Sequence, residues 1–202
     1  MGSLTDAHLD LGCGDAPRNP YSRARLCGVD LRGVGGPPFH DFRLANLCVE
    51  PIPYPDDSFA SVSAFDFLEH VPRILTTADG RGTRAPFIEL MNEIWRVLAP
   101  GGRFYALTPA YPRPEAFQDP THVNVISDRT HEYFCGASPA GRMYGFDGAF
   151  DVVRAEWALL PEAFSAQVQA ISWKRAFKHR RALRKGRLSH FLWELQARKP
   201  GR

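Results

Sequence analysis

No stretch of about 18 uncharged apolar residues occurs in the chain, so no membrane-spanning helix is expected. Its opening, "MGSLTDAH", lacks the basic start and apolar middle of a secretory leader. A cytoplasmic location is the expectation. Cysteine is scarce: the four in 202 residues (Cys13, Cys27, Cys48, Cys135) show no CxxC and no Cys/His ligand spacing, which argues against a zinc site and a disulfide framework. They read as reduced thiols. No internal repeat and no low-complexity linker divides the sequence. Acidic residues are missing from "KRAFKHRRALRKGR" (174–187), which holds eight of the 25 Lys and Arg, so the rest of the chain is net negative.

The chain is 44% hydrophobic, enough for one sizeable core, and its length fits one domain over 1–202. Short apolar runs alternate with segments of helical period, the pattern of an α/β domain with a mainly parallel sheet. Strands are read at 8–11, 26–31, 61–66 and 103–109, with a weaker one at 42–47. "PFIELMNEIWRVL" (86–98) is the clearest helix: Pro86 suits a first helical position, and Phe87, Leu90, Met91, Ile94, Trp95, Val97 and Leu98 share one face. Those aromatics and Met91 read as core packing. A long proline-rich loop follows the 103–109 strand, and loops of that length are usually functional or mobile. Two further strands, at 150–160 and 188–197, flank a basic helical insertion over 161–187 that ends near Gly186. Trp173 and Phe177, four apart, are placed to anchor that insertion to the core.

In "HLDLGCGDAPRNP", Gly12 and Gly14 follow a strand, but the third position of G-x-G-x-x-G is Pro17. Only eleven residues separate Gly14 from Leu26, leaving little or no first helix to hold a pyrophosphate. Asp10 and Asp15 would repel such a group and attract a cation. A nicotinamide dinucleotide is therefore the weaker reading. S-adenosylmethionine fits better, because it carries an ammonium, a sulfonium and a ribose diol but no phosphate. Asp30 ends the next strand and offers a carboxylate for the ribose hydroxyls; a turn-capping role is its alternative.

With these residues in place, the sequence resembles the class I S-adenosylmethionine-dependent methyltransferases over about residues 8 to 135, especially the kind that modifies small molecules and glycans. "LDLGCG", "GVDL", "PYPDDSFASVSAFDFLEHV" and "EIWRVLAPGGRFYALTP" stand in the family's order. The resemblance implies a Rossmann-like three-layer sandwich, with a seven-stranded, mainly parallel sheet whose last strand is antiparallel. It implies that Gly12, Cys13 and Gly14 pass under the methionine part of the cofactor, with Asp10 toward its ammonium. Asp30 would bind the ribose and Leu31 lie against the adenine. Asn46, beside Leu47, stands where an acceptor for the adenine amino group is often found, or else is a loop residue. Asp66 would line the methionine and substrate end. Three features depart from the family: the missing first helix, a start almost at the first strand without the usual lid helix, and the long insertion between the last two strands. All three bear on the substrate.

Methyl transfer from a sulfonium is an in-line displacement, so the protein mainly positions the nucleophile and, where needed, takes its proton. Candidates are Glu69 and His70 of "FLEHV" and Asp119 and His122 of "QDPTH". Histidine suits this task because its ordinary pKa is near neutrality. Either histidine could instead hold backbone in place. Tyr111, Phe117, Asp119 and His122 are expected to form the acceptor pocket. No metal is expected, since Asp56 and Asp57 read as a turn. The expected function is methylation of an oxygen or nitrogen on a small-molecule or glycan-type acceptor. RNA methylation through the basic 174–187 run is one alternative, and a non-catalytic binding domain is another. The basic run also suits a different anionic partner, or a solvated helix face.

Overall fold

A computed structural model describes residues 6–33, 38–160, 162–166 and 173–199. Residues 161 and 167–172 of the expected insertion lie outside this set. A seven-stranded sheet is built from β1 (Ala7–Leu11), β2 (Arg25–Asp30), β3 (Asp41–Leu44), β4 (Phe59–Phe65), β7 (Leu98–Pro109), β8 (Phe150–Trp157) and β9 (His190–Ala197). A small antiparallel hairpin, β5 (Leu75–Thr76) and β6 (Thr83–Arg84), stands apart from it. The sheet order is β3-β2-β1-β4-β7-β9-β8. The first five strands of that order run parallel, and β9 is antiparallel to both β7 and β8. The weak third strand is only four residues long and ends at Leu44 rather than at residue 47. β7 begins directly at Leu98, ahead of the expected 103, and a register shift between Phe59 and Ser61 absorbs the "APGG" turn.

Strand alternation gives the sheet two unlike faces. Leu9, Leu11, Val62, Ala64, Phe104, Ala106 and Trp193 point to one side, where they join Leu90, Met91, Ile94 and Val97 of helix α1 (Pro86–Val97) in the main core. Each large apolar side chain buried there contributes about 1.5–3 kcal/mol. α1 starts at the expected proline and stops where Leu98 turns extended, its N–H still bonded to the Ile94 carbonyl. Arg96 on its last turn binds Glu93, Asp56 and the carbonyls of Ile52 and Tyr54, so the "PIPYPDD" turn is clamped to the helix. Asp57 is held by Lys199.

The opposite face is polar at its centre. His8, Asp10, Ser61 and Ser63 are buried there side by side on β1 and β4. Ser63 donates to Asp10 Oδ1 at 2.5 Å, so its oxygen accepts from His8 Nε2 at 2.8 Å, and His8 Nδ1 accepts from Ser61 at 2.8 Å. Asp10 Oδ2 takes the backbone N–H of Arg18 at 2.7 Å. A helix with apolar side chains would leave these groups unpaired, whereas the proline-rich segment 12–24, which holds no α-helix, supplies backbone to them. Tyr21, Phe65, Tyr105, Leu107, Leu192 and the Glu162–Phe164 turn complete this layer.

Helix α2 (Trp173–Arg184) packs near β8 through His179, whose ring bonds the Trp157 carbonyl at 2.6 Å. Neither expected anchor is buried: Trp173 is 76% exposed and Phe177 65% exposed. Ala176, His179, Arg180 and Leu183 of the helix line a cavity of about 350 Å³ against β8. Both aromatics therefore fall outside its inner face. Among the described residues no helix is long and apolar enough to cross a membrane.

Burial raises the Asp10 carboxyl to about 7, against the opposing hydrogen bonds from Arg18 and Ser63. A carboxyl raised on folding favours the folded state below its unfolded pKa, and that contribution is lost as pH climbs through the folded value. Asp10→Asn keeps an acceptor for Arg18 and can reverse the Ser63–His8–Ser61 chain. Between about pH 4 and 7 wild-type stability should therefore fall relative to the variant, by up to about 1.4 kcal/mol per pH unit. Denaturant titration of both proteins at several pH values checks this, and parallel curves would refute it.

Candidate active site

The carboxyl ends of β1, β2, β4 and β7 meet at one edge of the sheet, and the residues expected to matter gather there. Leaving β1, the chain turns at once: the Gly12 N–H donates to the Val29 carbonyl at 2.9 Å. Gly12 has φ +63° and Gly14 φ +50°, a left-handed backbone that suits glycine. A Cβ on Gly12 would sit 2.5 Å from the Phe67 ring, so the turn lies directly on the segment that follows β4. Gly14 faces open space, with nothing within 4 Å of a Cβ built on it.

Asp30 joins the turn to β2. Its Oδ2 accepts the Gly14 N–H at 2.9 Å and its Oδ1 accepts the Arg32 N–H at 3.0 Å. Each oxygen keeps a second lone pair for a ligand. Leu31, next along, is exposed, and Cys13 is buried with its thiol pushed up to about 12 by that burial. Asp10 lies beneath the turn, with both oxygens engaged by Arg18 and Ser63, and so supports the loop from below. Asn46 caps a turn, its side-chain oxygen accepting the Cys48 N–H at 3.1 Å, and Leu47 is buried behind it. Asp66 stands at the end of β4 with φ +48°, its carboxylate 2.9 Å from His190 Nε2.

Beyond Phe67, the Leu68–His70 turn meets the loop after β7. The Glu69 carbonyl accepts the N–H groups of Val123 and Asn124, both at 2.9 Å, and the Asn124 amide donates back to the Leu68 carbonyl. Glu69, His70, Asp119 and His122, read as separate candidates, thus come together. Glu69 is buried, and its Oε2 accepts the Thr108 hydroxyl at 2.9 Å. Burial raises its carboxyl to about 7. His122 Nε2 lies 4.0 Å from Glu69 Oε1 and 3.9 Å from Asp119 Oδ2. The rings of His70 and His122 meet edge to face at 4.8 Å. Tyr111 and Phe117 are half exposed on the rim, edge to face at 6.3 Å. Phe67, Thr108, Thr121 and His190 were not singled out in the sequence. Phe67 and Thr121 lie within the two motifs, whereas Thr108 and His190 are brought in by the strand register alone.

Residues 9–106 match the sequence model of a methyltransferase-domain family. Over those residues the chain carries a methyltransferase domain. Solved structures share the fold of this methyltransferase at low identity. The Haloferax volcanii complex of the Trm112 methyltransferase activator with a methyltransferase aligns at TM-score 0.58 and 19% identity, over 98% of this chain and 84% of that one. An S-adenosylmethionine-dependent methyltransferase from Mesorhizobium loti gives 0.50 and 15%, over 94% and 90%. The geranyl diphosphate C-methyltransferase of Streptomyces coelicolor, solved with S-adenosylhomocysteine, gives 0.51 and 17%, over 95% and 72%. No curated protein matches the chain.

Gly12 and Gly14 share the backbone strain that any side chain would meet, about 1–2 kcal/mol, but only Gly12 is packed against a ring. Gly14→Ala should cost about that strain alone, while Gly12→Ala should cost about 1–3 kcal/mol more from overpacking on Phe67. Denaturant unfolding of the two variants distinguishes them; equal losses would remove the contact with Phe67 from the account.

Proposed function

We propose that the enzyme methylates an oxygen or nitrogen of a small-molecule or glycan-type acceptor, bound between residues 66–70 and the 110–124 loop. In this reading Gly12, Cys13 and Gly14 carry the methionine portion, Asp30 takes the ribose, and Leu31, Asn46 and Leu47 border the adenine. Asp10 holds the turn in shape, and Asp66 faces the methionine end. The observation that carries the reading is the convergence of Glu69, His70, Asp119 and His122 on one spot, reached through Phe67 from the glycine turn. A hydroxyl or amine nucleophile must lose a proton, and groups able to take it stand there. As the new bond to the methyl carbon forms, the carbon–sulfur bond breaks with its electron pair going to sulfur, and the acceptor's proton leaves toward His122. Tyr111 and Phe117 offer an aromatic rim for a ring or sugar face.

Calorimetric titration with S-adenosylmethionine and S-adenosylhomocysteine tests the cofactor side, with NAD as control. Saturable binding of both sulfur nucleosides is expected, lost in Asp30→Ala; undiminished binding in that variant would take the ribose role from Asp30. On the acceptor side, His122→Ala should lower turnover about 10²–10⁴-fold, the range for general acid–base groups. Unchanged turnover on the true acceptor would remove that role.

A second reading, RNA methylation, is favoured by α2, which exposes Lys178, Arg180, Arg181, Arg184 and Lys185. Two residues past the end of this helix, a Cβ on Gly186 would lie 2.7 Å from the Arg113 guanidinium of the acceptor loop. If RNA is the acceptor, its binding should weaken steeply between 50 and 200 mM salt. Absent or salt-independent binding would discard this reading.

A further inference from the structure

We infer that Glu69, His70 and His122 form a binding site for one divalent transition-metal ion. Hydrogen-bond direction carries the argument. The Thr121 hydroxyl donates to Asp119 Oδ1 at 2.6 Å, so toward His70 Nδ1, 3.0 Å away, it can only accept. The Thr121 carbonyl, 3.3 Å from the same nitrogen, also only accepts. His70 Nδ1 therefore carries the hydrogen, and Nε2 presents a lone pair. His122 is set the same way, because its Nδ1 faces the Ala116 carbonyl at 3.4 Å. Its Nε2 lone pair then looks toward Glu69 Oε1 at 4.0 Å, too far for a hydrogen bond. That oxygen is buried and has no partner, although Glu69 as a whole is 1% exposed.

One ligand atom from each of the three residues lies within 4.8 Å of the others. Bonds of 2.0–2.2 Å to a tetrahedral ion place ligands about 3.4 Å apart, so a contraction of up to about 1.4 Å closes the site. Two imidazoles and one carboxylate suit zinc, manganese or iron and leave positions open to a further ligand. The Asp119–Thr121–His70 chain is the outer support that orients a ligating imidazole. The sequence reading set metal aside because Asp56 and Asp57 form a turn; it could not bring Glu69 and His70 to a histidine 52 residues later.

The ion's role rests on the acceptor reading above: held there, it would bind the acceptor's heteroatom and ease loss of its proton, which would pass to Asp119 or to solvent because the His122 lone pair would be taken by the ion. The site itself can be tested without cofactor or acceptor. The full chain, stripped with chelator, is titrated with zinc and separately with manganese by calorimetry, and metal content is counted after dialysis. One equivalent is expected, weakened more than about 100-fold in His122→Ala and about tenfold in Thr121→Val, where only the support for His70 is lost. Circular dichroism checks that each variant is folded. No saturable binding of either metal, or affinity unchanged in both His70→Ala and His122→Ala, overturns the proposal. Loss of metal binding alone, with S-adenosylmethionine still bound, leaves the acceptor reading standing. Metal bound as described in a protein whose His122→Ala variant keeps full turnover sustains the site and removes its place in the reaction.

Discussion

The buried carboxyl of Asp10 is the point on which the cofactor end depends. One oxygen holds the Arg18 N–H and the other the Ser63 hydroxyl, so a single side chain on β1 fixes both the returning loop and the neighbouring strand β4. The turn above it is left with no freedom to sink, since Gly12 already touches Phe67. Its amides are then held up at the sheet edge, one bonded to Val29 and one to Asp30. A chain without the carboxyl would have to cover His8, Ser61 and Ser63 differently, because buried polar groups left unpaired cost about 1–3 kcal/mol each.

This also accounts for the proline-rich path of residues 15–24. A first helix could not offer its backbone to the sheet, because its N–H and C=O groups are spent on itself. Extended chain has them to spare. The Arg18 amide meets Asp10, Ala166 donates to the Pro20 carbonyl, and the Tyr21 hydroxyl reaches Glu194 on β9 at 2.9 Å. Arg154 closes the far side by pairing with Glu194 at 3.2 Å. The missing helix and the polar sheet face are thus one feature, visible from opposite sides.

Much of this was legible in sequence. Alternation in "HLDL" and "SVSAF" already separated an apolar from a polar face, and the spacing of Phe87, Leu90, Met91 and Ile94 gave α1 to within a residue. The glycines and Asp30 were legible because a turn followed by an acid-ended strand has few other uses. Side-chain direction was not. Asp10 could be assigned to the turn but not to its underside. Trp173 and Phe177 show the limit of periodicity: their i, i+4 spacing marks a stripe without saying which way it faces, and the sheet is met instead by His179.

The acceptor-side cluster was half legible for a different reason. Each of its residues carries chemistry that stands out in a local motif, but what unites them is a long-range backbone match, with Val123 and Asn124 donating to the Glu69 carbonyl. That match fixes "DPTH" against "LEH" whatever the side chains do. Once the two segments are docked, the Thr121 hydroxyl and the Ala116 carbonyl dictate the tautomers of His70 and His122. The His122 lone pair then faces a Glu69 oxygen that has nothing to accept, with the His70 ring beside it. Proteins rarely leave such an oxygen buried without purpose, and in the proposed reading it borders the acceptor. Glu69 Oε1 is one of several buried polar atoms without a partner among the described residues, and with the His122 nitrogen beside it a metal ion or a donor such as the acceptor's own hydroxyl or amine would complete it.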